Sequence, residues 1–391
     1  MRNYLRGIYL LKNQMKKHFL AILSASFLFI EGSFAQALPK PAHIVVVIYE
    51  NQAYSGIIGS SAAPYINSLL KDSNTASFTQ MYANSTAASQ PNYFYLYSGS
   101  DQGVTSNSIS PNTPFTTCNL GASLIAKGHS YSGYCEGMPS VGYLGTTSGN
   151  YDRKHNPSSD WQGTLSNNIP PSSNQPFSNF PTNYDSLPTV AYVTPNEVDN
   201  MHSSSISNGD TWLKNNFDNY IKWAKTHNSM LIFTFDEDDG NSGEHIALLM
   251  IGQMVKGGAY SENITFLNVL RTMEDIYGLP ACAGTTTATA ITDVWKSASG
   301  ITNSGTIINH LNIWPEPVND ELNLSLGINK SCKTSLSISD ITGRKILFKD
   351  IDLQSGDNNF FINLPNTKPG IYFLNISGNE INYCKKIIIQ R

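Results

Sequence analysis

The chain has 391 residues, of which 25 are Lys or Arg and 29 are Asp or Glu, so only 14% are charged and the formal net charge is −4. It contains no basic stripe or arginine-rich run, which excludes the electrostatic footprint of a nucleic-acid-binding protein. The length exceeds a single ordinary domain and suits one large core with an appendage.

The N-terminus comes first. Met15, Lys16 and Lys17 precede an apolar run from Phe19 to Ile30, and small residues follow at Ser33, Ala35 and Ala37. A short positive region, an apolar stretch and a small-residue exit predict a secretory signal peptide over 1–37, with Met15 as an alternative start. The apolar run is too short for a comfortable membrane span, and no other segment is apolar enough for one. The protein is therefore expected outside the cell or at its surface, with no stable transmembrane segment. In such an oxidising compartment the five cysteines can pair. Closeness along the chain pairs Cys118 with Cys135 and Cys332 with Cys384, leaving Cys282 over, although spacing alone does not fix connectivity.

Next, the continuous β-branched run HIVVVIY (43–49) predicts a central strand buried on both faces. Helices are predicted over 64–71, over 92–98 behind Pro91, and over 119–127 before Gly128. Residues 136–188 are rich in Gly, Pro, Ser and Asn and read as a long irregular stretch, a length that is usually functional or mobile. TVAYVT (189–194), SMLIFTF (229–235) and HIALLMI (245–251) read as further strands, with helices over 210–226 and 263–277. Apolar strands alternating with helices give an α/β fold with a mostly parallel sheet flanked by helices. After a polar linker over 298–311 the pattern becomes short alternating strands such as ELNLSL and GIYFLNI, which predicts a small C-terminal all-β sandwich over 312–391. The catalytic domain is expected over 38–297.

In open α/β sheets, ligands bind beyond the carboxyl ends of the strands. Glu50 and Asn51 follow the first apolar strand, Asp199 and His202 follow the second, and Asp236 and Glu237 follow the third, while His245 opens the fourth. Each alone is a cap, a solvated loop or a satisfied core histidine. Together, carboxylates and imidazoles on one rim suit a divalent cation, since packing several carboxylates without one would cost several kcal/mol. Ser89 lies two residues before Pro91 at the mouth of a predicted helix, where backbone N–H groups favour an anion or an ionised hydroxyl. A serine oxygen activated by a metal can attack phosphorus, and Asn92 can donate its amide to a phosphate oxygen. Arg153, Lys154 and His155 add three candidate cations for a phosphate clamp.

Five ordered segments, HIVVVIYENQAYSGIIG, SQPNYFYLYSG, YDRKHNP, YVTPNEVDNMHS and FTFDEDDGNSGEHIALLMIG, resemble the bacterial and fungal acid phosphatase branch of the phosphoesterase family. That family lies within the alkaline phosphatase superfamily and has phospholipase C-like relatives. The resemblance spans roughly 43–295. It implies an alkaline phosphatase-like fold and in-line attack by Ser89 to give a covalent phosphoenzyme. It also implies one or two divalent ions (Zn, Mn, Fe, Mg or Ca) held by Glu50, Asn51, Asp236 and Glu237, with Asp199, His202 and His245 as the second ligand set. Asn92 and His155 would contact phosphate. Glu237 stands where the superfamily usually has His, and the Asp199–His202 spacing is one residue short, which weakens the case for a second metal. At the C-terminus, NIWPEPVNDELNLSL, SISDITGRKI, PGIYFLNI and KKIIIQR resemble a type IX secretion sorting domain, which implies the secretion machinery as a partner. The expectation is a secreted, metal-dependent phosphomonoesterase acting on a phosphate-ester substrate. Its rivals are a phosphodiesterase or phospholipase C, and a non-catalytic surface-binding protein on the same scaffold.

Overall fold

A computed structural model of the chain describes residues 38–86, 88–296, 308–378 and 381–390. The expected signal peptide over 1–37 and most of the expected linker lie outside the described residues.

The central sheet follows from its apolar runs. Strand β1 (His43–Tyr49) is buried from Ile44 onward, as a strand covered on both faces must be. Its neighbours β5 (Val190–Thr194) and β6 (Ser229–Phe235) both run parallel to it, in a register that sets Val45 beside Ala191 and Leu231. The remaining strands of this sheet are β2 (Thr75–Tyr82), β3 (Tyr131–Cys135), β4 (Asn174–Pro176), β7 (His245–Gly252), β8 (Gly258–Tyr260) and the short β9 (Ile264–Thr265). The order is β8–β2–β7–β6–β1–β5–β3–β4, with β9 added on β2. Only β7 runs antiparallel to its neighbours, so its first residue, His245, lies at the same end as the carboxyl ends of β1, β5 and β6.

Helices α1 (Pro64–Leu69), α2 (Ser89–Ser98), α3 (Leu120–Ala126), α4 (Ile206–Ala224) and α5 (Phe266–Tyr277) complete the body. Local chemistry sets their ends. Ser205 caps α4 through Asn208 N–H, and Thr265 with Asn268 forms a capping box on α5, which moves that start inward from the expected 263. Helix α4 turns Trp212, Leu213, Phe217, Tyr220 and Ile221 into the core. Helix α2 is buried almost all round and packs on α5. It ends at Gly99, whose φ is 74° and where an added Cβ would sit 2.3 Å from the Cys282 carbonyl oxygen, so only glycine fits.

Five strands of this sheet were not expected, β2, β3, β4, β8 and β9, the last lying at the start of the expected helix over 263–277. TASFTQMY (β2) and YSGYC (β3) are too polar to stand out by hydrophobic pattern, yet each is held in the sheet between partners on both sides. The stretch 136–188 contains edge strand β4, a two-residue hairpin and single helical turns, so it is ordered rather than shapeless.

The cysteine pairing differs from expectation. Cys118 bonds Cys282, across 164 positions of sequence. Cys135 ends β3 inside the body, where the Thr194 hydroxyl donates to its sulfur at 3.0 Å and burial pushes its thiol up to about 12. Cys332 and Cys384 sit on strands separated by an intervening strand, two spacings of about 4.8 Å apart, too far for a disulfide.

The C-terminal region forms a three-stranded antiparallel sheet of β10 (Ile308–Trp314), β11 (Glu321–Ile328) and β14 (Gly356–Asn363). A four-stranded sheet adds β12 (Cys332–Asp340), β13 (Lys345–Leu353), β15 (Gly370–Gly378) and β16 (Ile381–Ile389). Strand β10 begins inside the expected linker. Alternation places Leu322, Leu324 and Leu326 in a shared apolar core with Leu336, Leu374 and Ile387.

Candidate active site

The rim is built by the strand ends. Glu50 directly follows β1, and its N–H donates to the Asn200 carbonyl at 3.0 Å. Asp236 directly follows β6, with its N–H on the Tyr49 carbonyl at 2.9 Å, which sets the two carboxylates on neighbouring strands. Asn51 turns the chain through a left-handed backbone conformation (φ 42°), a state asparagine tolerates. Its N–H then donates to Asp236 Oδ1 at 3.2 Å and its Nδ2 to Glu237 Oε1 at 3.0 Å.

Ser89 reaches this cluster from α2. It is the first residue of the helix, three ahead of its expected start at 92 and one turn before Tyr93. Its hydroxyl lies 3.1 Å from Glu50 Oε2 and 2.9 Å from Glu237 Oε1, so its single proton is shared between two acceptors. The Tyr93 hydroxyl, one turn on, donates to Glu50 Oε1 at 2.5 Å. The Tyr93 ring is buried, and its phenol tip is the polar handle that such a ring needs.

Two loops, one between β3 and β4 and one after β5, close the other side. His155 Nε2 lies 3.1 Å from Glu50 Oε1, too poorly aligned for a hydrogen bond, so the contact is electrostatic; its ring stacks on Tyr93 at 5.3 Å. Glu197, three residues past β5, approaches Lys154 Nζ (3.1 Å), His155 Nδ1 (3.7 Å) and His202 Nδ1 (2.9 Å). It stands on the same strand-end rim as Asp199 and His202 but was passed over.

These contacts separate the carboxylates. Burial alone pushes Glu50 up, but the His155 ring, Tyr93 hydroxyl and Lys154 hold it below the usual range. Asp236 goes well above it, through burial and then the charges of Glu50 and Glu237. Burial also raises Glu237, with Glu50 adding to the shift against the opposing Ser89 hydrogen bond. Burial works against Glu197 too, but His202, His155 and Lys154 bring it down to about 2.

Other expected site residues lie elsewhere or do other work. Asn92 accepts from Asn84 and Ser85 N–H at 3.2 and 2.9 Å and donates to the Ser85 carbonyl, so its amide pins the loop before α2. Arg153 is buried in an ion pair with Asp160 at 2.8 Å and also bonds Ser159 and the Leu144 carbonyl, which directs it into the body. Asp199 accepts from Asn196 and Asn208 amides. His245 stacks between Tyr54 and Tyr82, with Nε2 on the Thr79 carbonyl. Asp199, His202 and His245 thus make no contact with one another, because each ring or carboxylate is already held by its own neighbours.

Residues 60–280 match the Phosphoesterase family. A phosphatidylinositol-3-phosphatase of Mycobacterium tuberculosis is 43% identical over 266 residues, 68% of this chain and 86% of that protein. The chain belongs to the phosphoesterase family. As such it is a hydrolase acting on phosphoric ester bonds. A phosphate-repressible acid phosphatase of Penicillium chrysogenum is 26% identical over 209 residues, 49% of this chain and 50% of that protein. Among solved structures, an alkaline phosphatase superfamily protein from Vibrio parahaemolyticus superposes with a TM-score of 0.47 at 12% identity, over 82% of this chain and 84% of that one. Residues 312–390 match the Secretion system C-terminal sorting domain, which points to export, and no helix among the described residues is long and apolar enough to cross a membrane.

Phosphoesterases of this kind are generally metal-dependent, so the fit of these residues to a cation matters. Among the described residues no group of three or more His, Cys, Asp or Glu stands at metal-binding spacing. The donor chemistry nevertheless fits. Asn51 Oδ1 and Asp236 Oδ2 are buried oxygens without a hydrogen-bond partner, beside two further carboxylates and a serine hydroxyl. An all-oxygen set of this type suits a hard divalent cation such as Mg²⁺, Ca²⁺ or Mn²⁺.

Proposed function

We propose that this phosphoesterase is an exported phosphomonoesterase in which the Ser89 hydroxyl attacks phosphorus. One observation carries the reading: Ser89 Oγ, at the N-terminus of α2, lies within hydrogen-bond distance of Glu50 and Glu237 from two adjacent strand ends. In line with the leaving oxygen, Oγ bonds phosphorus, the ester P–O bond breaks and the alcohol leaves with a proton. Water then attacks the phosphoserine, inorganic phosphate departs and the hydroxyl is restored. The hydroxyl proton passes to a carboxylate that already accepts it. The helix N-terminus favours the charge that develops on Oγ. Lys154, His155 and His202 gather on Glu197, with His155 also facing Glu50, and they take the phosphoryl oxygens. Glu50, Asn51, Ser89, Asp236 and Glu237 would hold a divalent cation, which supplies Lewis acidity and favours the ionised serine.

Monoester preference follows from α2. Its aromatics Tyr93, Phe94 and Tyr97 are buried and offer no trough for a second ester group. The names of the relatives, acid phosphatases and a phosphatidylinositol-3-phosphatase, also describe monoester hydrolysis. The test is Ser89→Ala against a panel of aryl phosphates, phosphoinositide monophosphates and diesters. Turnover of monoesters should fall at least ~10³-fold with the fold intact, and acid-quenched wild type should carry one phosphate on Ser89. Near-normal turnover by the variant sinks the reading.

A further inference from the structure

We propose that Glu197 is a positioning residue for this reaction, holding Lys154, His155 and His202 together as one clamp for the phosphoryl oxygens of the substrate. The proposal rests on the reading of Ser89 as nucleophile and deepens it.

A carboxylate beside Glu50, Asp236 and Glu237 would by itself repel an anionic substrate. It belongs in such a place only if it carries nitrogen groups with it. Glu197 does so: Oε1 lies 3.1 Å from Lys154 Nζ and 3.7 Å from His155 Nδ1, and Oε2 lies 2.9 Å from His202 Nδ1. These groups come from two loops, and the Glu197 backbone ties both. Its N–H donates to the Asn150 carbonyl at 3.0 Å, and its carbonyl accepts from Ser203 N–H at 2.8 Å.

Lys154 and His202 each have a second partner, that of His202 being Ser203 Oγ at 3.1 Å from its Nδ1. Lys154 also lies 3.9 Å from Asp152, so without Glu197 its ammonium swings toward that carboxylate. His155 loses the negative charge that faces its Nδ1 at 3.7 Å, a charge contact rather than a hydrogen bond, on the side of the ring opposite the Nε2 that faces Glu50, whose other oxygen receives the Ser89 hydroxyl. Glu197 therefore touches neither phosphorus nor Ser89 and acts through the groups it orients. Misplacement of such groups by about an ångström is enough to slow a reaction by about 10²-fold.

The experiment uses the full chain, para-nitrophenyl phosphate as substrate, and Glu197→Gln and Glu197→Asp alone and combined with His155→Ala. Glu197→Gln should lower kcat by about 10- to 100-fold with a smaller change in KM and little change in melting temperature, and Glu197→Asp, which keeps the charge, should retain more. In the His155→Ala background the same Glu197→Gln change should lower kcat less than about threefold, because residues acting as a unit are not additive. Inhibition by inorganic phosphate reads the clamp without turnover, and its Ki should rise in Glu197→Gln. Equal loss in both backgrounds, or unchanged kcat and phosphate Ki beside an inactive Ser89→Ala, overturns the role of Glu197. Turnover by Ser89→Ala instead overturns the nucleophile assignment beneath it.

Discussion

The α/β body and the C-terminal sandwich are both built on strands, but they bury different kinds of group. In the body, β1 and β6 end in carboxylates that are 0% and 1% exposed, and α2 opens on a buried serine. In the sandwich, Thr334 and Ser337 are the buried polar side chains among the described residues, and the rest of the interior is largely aliphatic. Burying charge without full pairing is unfavourable, so the body holds its rim groups against the folding free energy, and the sandwich bears no such load. The candidate site belongs to the first region, and the second matches a sorting domain, which points to export.

Asp236→Asn breaks that contrast most sharply. It removes a buried carboxylate from beside Glu50 and Glu237, so activity should fall at least ~10³-fold while chelator-treated protein melts at a higher temperature than wild type. The pH dependence has a definite sign. Burial and its two acidic neighbours raise Asp236 well above its ordinary 3.8, so the fold favours its protonated form. In metal-free wild type its contribution is fully present below about pH 3.8 and is lost as the pH climbs through the raised folded value. Asp236→Asn should flatten that decline. A lower melting temperature in the metal-free variant would mean that the carboxylate is stabilising where it stands.

How far the rim was legible shows the same division. The fully apolar strands announced β1, β5, β6 and β7, and the rule that ligands sit past strand ends led to Glu50, Asp236 and Glu237. The half-polar β2 and β3 did not show, because their burial comes from sheet neighbours rather than from their own pattern. Glu197 and Tyr93 escaped because their roles depend on which atoms meet after folding: a phenol tip on Glu50, a carboxylate among three nitrogen groups. Asn92 and Arg153 show the converse. A polar side chain near a site can also be held by its own loop, as Asn92 Oδ1 is by Ser85 N–H and Arg153 by Asp160, although one Asn92 N–H is left for a ligand.

The disulfide offers a smaller effect within the body. Cys118–Cys282 closes 164 positions of chain and anchors the segment whose Gly284 N–H bonds the Gly99 carbonyl at the end of α2. Replacing both cysteines by serine should lower stability by about 2–5 kcal/mol. It should leave kcat of the folded fraction close to wild type, since Ser89 lies at the opposite end of the helix. Thermal melts and kinetics on the same sample check this. A large kcat loss at low temperature would show that the covalent tie also sets the position of Ser89.

The smallest expected effect on catalysis comes from the sandwich. Leu324 is 1% exposed and central to its core, so Leu324→Ala should destabilise that region by about 2–5 kcal/mol. Because the buried charges and the Ser89 cluster all belong to the body, kcat and KM of the full chain should stay within error of wild type, while proteolysis at low temperature becomes faster within 308–390. The two measurements must diverge for the contrast between the regions to hold. A matched fall in kcat would mean that the export region supports the geometry of the rim, and that the two folds share a stability they do not share in composition.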